Sequence, residues 1–114
     1  MTKSKTTSAF ETFLEQAQQN NMDIMELLSA GELLTPEQQI ELYETWIKHS
    51  DSLVRYAAYF NLAVIFDQQK LSEKAEKAYR DSIDVHPDFI QGQFNLGANL
   101  ERQTRIEDAL NQWR

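Results

Sequence analysis

The chain has 114 residues, 41% of them hydrophobic, which suits a single domain with a modest core. It contains no cysteine, so disulfides, thiolate metal sites and a cysteine nucleophile are excluded. Its 18 acidic and 11 basic residues give a net charge of −7, which repels phosphate backbones and argues against nucleic acid as a partner.

Gly and Pro are scarce, at 3 and 2 copies, and the residues that fill the chain are strong helix formers, so an all-α fold is expected. The opening MTKSKTTSAF lacks the apolar core and cleavage site of a secretory signal. Residues 1-6 are expected to be flexible, and the location cytoplasmic. No apolar run is long enough for a membrane-spanning helix.

Apolar residues at helical spacing then mark the elements in turn. Residues 7-19 carry Phe10, Phe13, Leu14 and Ala17, and 22-30 carry Ile24, Leu27 and Leu28. Gly31 is expected to end that second helix in the left-handed conformation. Thr35-Pro36-Glu37-Gln38 reads as a capping box with proline in the first helical position, opening a helix over 36-49 with Ile40, Tyr43 and Ile47 on one face. Ser50-Asp51-Ser52 precedes a helix over 53-69, and Ser72 opens one over 72-85. Pro87, with Asp88 in the first turn, is expected to start a helix over 87-102, and a last helix is expected over 106-114.

Two of these segments repeat. Residues 56-80 align without a gap on 90-114, matching Phe60 with Phe94, Asn61 with Asn95, Leu62 with Leu96, Gln69 with Gln103, Ala75 with Ala109 and Arg80 with Arg114. The 34-residue offset is the period of the tetratricopeptide repeat. Tyr59, Leu62, Ala63 and Phe66 fill that pattern's first-helix positions, and Ala75, Tyr79, Ser82 and Pro87 those of the second helix. The second copy supplies Leu96, Gly97, Leu100, Ala109 and Trp113, with Gln93 where an aromatic is usual and Lys70 and Thr104 in the turns where many repeats have glycine. Small residues at Ala63, Gly97, Ala75 and Ala109 would let helix axes approach while large ones fill the gaps.

Residues 55-114 therefore resemble the tetratricopeptide repeat family, and more loosely the N-terminal repeat region of bacterial SPINDLY and O-linked N-acetylglucosamine transferase proteins. The resemblance implies a right-handed α-solenoid of antiparallel helix pairs. On this reading 7-52 forms an N-terminal helical cap and 53-114 two repeats, 53-86 and a truncated 87-114, within a longer chain. In the family the first helices line a concave groove that holds an extended peptide, and in the transferases a ladder of asparagines grips its backbone. Asn61 and Asn95 match that ladder position, and the alternative for each is a local bond to the neighbouring helix. Val64, Gln68, Gln91 and Arg102 are expected toward the same groove. Phe60 and Phe94 read first as core and second as its apolar floor.

No catalytic arrangement emerges. His49 and His86 are the sole histidines and have no ligand-spaced partner, carboxylates such as Glu73 and Glu76 sit among basic residues, and there is no phosphate-binding glycine loop. The sequence thus reads as a non-catalytic protein-interaction module without metal or cofactor, whose partner is a protein or peptide rather than nucleic acid or membrane. Two alternatives stand beside it: a region presenting acceptor protein to a fused glycosyltransferase, and a spacer that self-associates through the C-terminal helix.

Overall fold

The structure, a computed structural model, describes residues 8-112. These form six α-helices and no strand: α1 (Ala9–Gln18), α2 (Ile24–Gly31), α3 (Pro36–His49), α4 (Arg55–Gln68), α5 (Ser72–Val85) and α6 (Ile90–Gln112). The segment 1-6 expected to be flexible, and Trp113, lie outside the described residues. None of the described helices is long and apolar enough to cross a membrane.

Capping chemistry explains the first three helix starts. Thr35 accepts from the Gln38 N–H while the Gln38 side chain accepts from the Thr35 N–H, and Ser8 with Glu11 and Asp23 with Glu26 make the same reciprocal pair. Two starts differ from expectation. α4 has no side-chain cap, because Ser50 and Ser52 instead accept from the Ser52 and Val54 amides in the preceding turn. α6 begins at Ile90, leaving Pro87 and Asp88 in a turn closed by the Phe89 N–H on the His86 carbonyl at 3.0 Å. That turn aims the Phe89 ring back onto Tyr56 and Phe60, at centroid distances of 4.9 and 5.1 Å.

Gly31 does not take the left-handed conformation; among the described residues that conformation falls to Asn20 and Lys70, at φ 57 and 65. What Gly31 provides is room, since a Cβ there would stand 2.9 Å from the Tyr43 hydroxyl. Lys70 closes the tight turn between α4 and α5, so the two helices lie antiparallel. Ala58, Ala63 and Ala75 are fully buried there and let the axes approach, with Leu62, Phe66 and Tyr79 filling the space between. The Ser82 hydroxyl donates to the Tyr56 carbonyl at 2.8 Å across the same contact. Toward the N-terminus α3 packs on both α1 and α4 through Leu42, Tyr43 and Trp46, whose indole N–H donates to the Met22 carbonyl at 2.6 Å.

The largest departure is at the C-terminal end. Instead of helices over 87-102 and 106-114 separated by a turn, the chain runs as one helix from Ile90 to Gln112. Thr104 aligns with Lys70, but a β-branched residue resists the left-handed conformation that lets Lys70 turn the chain. The Thr104 hydroxyl donates to the Leu100 carbonyl at 3.1 Å, Arg105 pairs with Glu101 at 3.2 Å, and neither Gly nor Pro interrupts 98-112. Gly97 also departs from its expected packing role, with no atom within 4 Å of a Cβ built there. The tightly packed glycine of α6 is Gly92, where a Cβ would meet the Phe89 ring at 2.8 Å.

Candidate functional site

On α4, Asn61, Val64, Ile65 and Gln68 recur at helical spacing and so share one face. With Leu28 of α2, Glu32, and Gln39 and Tyr43 of α3, they line a cleft of about 350 Å³. Its walls are set locally. The Asp23 and Thr35 boxes fix where α2 and α3 begin, and the Gln39 amide donates to the Gly31 carbonyl at 2.7 Å, tying the start of α3 to the end of α2. Burial, helped by the Glu32 charge, pushes the Tyr43 phenol above its ordinary value of 10.0, so the hydroxyl keeps its proton at neutral pH.

The Asn61 amide N–H donates to the Ala57 carbonyl of its own helix at 2.8 Å. It does not bond a neighbouring helix, and among the described residues its carbonyl oxygen has no donor. Asn61 therefore presents an acceptor toward the cleft, and exposed Gln68 adds a second amide one further turn along.

Asn95 sits differently. Partly buried on α6, it lies beside the Tyr79 hydroxyl, whose pKa burial raises and Asn95 lowers by a smaller amount. The same hydroxyl donates to Asp67 at 3.1 Å, and Asp67 also accepts from Asn99 at 2.9 Å and from Arg102 at 2.7 Å. Asn99 is fully buried, donates also to the Ser72 carbonyl at 3.0 Å, and accepts from Gln103 at 2.7 Å. Gln103 reaches on to Glu76 at 3.0 Å. Together these bonds form a polar joint between α4, α5 and α6.

The structure thus brings Asn61, Val64 and Gln68 together in one cleft and assigns Asn95 and Arg102 to the joint. Phe60 is half-buried in an aromatic cluster with Tyr79 and Phe89, a core position, whereas Gln91 and Phe94 are exposed, Phe94 at 74%. Asn99 and Gln103 were not picked out by the sequence. The available signal was a polar pair on the helical stripe Gly92, Leu96, Asn99, Gln103, where α6 faces α5. Of the histidines, His86 packs edge-on to Tyr56 at 4.6 Å and stacks on Phe89, and His49 is exposed in the last turn of α3.

The chain matches no protein-family model, no curated protein and no solved structure.

Proposed function

We propose that this chain is a non-catalytic interaction module that holds an extended peptide segment along the Asn61 face of α4. The reading includes tetratricopeptide character, supported by the 34-residue recurrence and by the antiparallel α4–α5 pair with its small-residue contact, while the second copy runs as the single helix Ile90–Gln112 rather than as a pair. The observation that carries it is the Asn61 carbonyl oxygen, left without a donor in a cleft that also offers Gln68 and the apolar Val64. Such an oxygen accepts from a peptide N–H whatever the side chain, so recognition follows backbone spacing more than sequence.

The test is selection of extended peptides from a random displayed library against the full chain, followed by affinity measurement on an Asn61→Ala variant. Loss of capture with unchanged helicity supports the reading, and unchanged capture with an intact fold removes it.

A second reading is self-association through α6. It is favoured by Ile106 and Leu110, 56% and 59% exposed, which continue the stripe that α6 buries against α5 in its first half. Sedimentation at rising concentration separates the two, since a strict monomer eliminates self-association.

A further inference from the structure

α6 packs chiefly on α5, with buried Gly92 and Asn99 on the side that faces it. Its opposite side is bare. At 100° per residue Ile90, Phe94 and Gly97 share that outer face, where Ile90 and Phe94 are 76% and 74% exposed. A Cβ built at Gly97 meets no atom within 4 Å.

The same stretch is free of charge. From Phe89 to Leu100 there is no charged residue, in a chain that is 25% charged and carries a net −7. Two copies that repel one another elsewhere can therefore approach along it, and depletion of charge is the mark of the centre of a protein interface. Gly97 points the same way. A glycine inside a helix costs stability relative to alanine, and nothing among the described residues uses the space it leaves. The exposed Phe94 ring stands one turn away on the same face. A knob and a hole so placed are self-complementary: in an antiparallel pair each ring covers the glycine of the other copy, which is the reciprocal contact that a two-fold axis requires.

We propose that the outer face of α6 binds the same face of a second copy of this chain, antiparallel, with Phe94 of each copy seated over Gly97 of the other and Ile90 flanking the contact. The proposal rests on the self-association reading and deepens it, moving the contact from Ile106 and Leu110 to the opposite side of the helix. It is independent of the Asn61 cleft. A contact one helix wide falls short of the roughly 1,200 Å² of a stable complex, so the dimer forms only at high concentration.

Sedimentation equilibrium of the full chain at rising concentration reads the dimer, on the unaltered protein and on Phe94→Ala, Gly97→Ala and an Ile106→Ser, Leu110→Ser variant. The expected result is a monomer–dimer equilibrium whose dissociation constant rises about tenfold in Phe94→Ala and in Gly97→Ala and stays unchanged in the Ile106→Ser, Leu110→Ser variant. Gly97→Ala separates the contact from folding, because in dilute solution it raises the melting temperature while it weakens the dimer. A dimer indifferent to either Phe94→Ala or Gly97→Ala overturns the proposal. If only the Ile106→Ser, Leu110→Ser variant loses the dimer, this contact is removed and self-association stands, whereas a strict monomer removes both.

Discussion

Asn99 shows how much of this structure depends on single polar side chains. Fully buried, it serves Asp67 and the Ser72 carbonyl at once, so Asn99→Ala leaves both short of a donor and costs about 1–3 kcal/mol, measurable by urea unfolding. The glycines of α6 diverge for a similar geometric reason. Gly97→Ala enters open space in a helix interior and stabilises by about 0.5–1 kcal/mol, whereas Gly92→Ala drives a Cβ into the Phe89 ring and destabilises. Thermal melts of the two variants should shift in opposite directions. Glu76 supplies a pH dependence: hydrogen bonds from Gln103 and then Arg80 hold its carboxyl below the ordinary 4.5. A lowered carboxylate contributes stability that is complete above its unfolded-state value and is lost as pH falls through the folded value. The α5–α6 joint should therefore weaken in acid below about pH 4.5, and Glu76→Gln should flatten that loss in a pH series of unfolding curves.

Elements were legible where their signals are local. The Thr35 box, the helical spacing of Ile40, Tyr43 and Ile47, and the turn before Ser72 depend on neighbours within a few residues, and α3, α4 and α5 appear close to where those signals place them. The boxes at Ser8 and Asp23 obey the same spacing rule and were equally available. The length of α6 escapes the repeat alignment, which transfers a turn from Lys70 to Thr104, where a β-branched residue resists the left-handed conformation. The polar joint was beyond local reading, because Asp67 and Asn99 meet only once three helices have packed. Past Gln103 every described residue of α6 is exposed, so amide hydrogen exchange should be fast over 104-112 and slower over 92-103. Uniform protection along the whole helix would mean that its second half has a covering partner in solution.

At the scale of the molecule the helices form an elongated body of 60 × 34 × 18 Å. Its radius of gyration of 16.5 Å exceeds the roughly 13 Å of a globular chain near this size, as expected when α4, α5 and α6 pack chiefly on their sequence neighbours. Such a body exposes long faces on either side of α4, one of them centred on the Asn61 amide. On the proposed function that face captures backbone, and the two asparagines make the proposal separable, since Asn95 lies beside the Tyr79 hydroxyl on α6 while the Asn61 oxygen has no donor among the described residues. The most direct measurement is the affinity of one library-selected extended peptide for the single variants Asn61→Ala and Asn95→Ala, each checked for helicity. The account predicts that Asn61→Ala weakens binding about fivefold to tenfold, the equivalent of one hydrogen bond, and that Asn95→Ala mainly lowers stability. Full affinity in Asn61→Ala with its fold intact would contradict it.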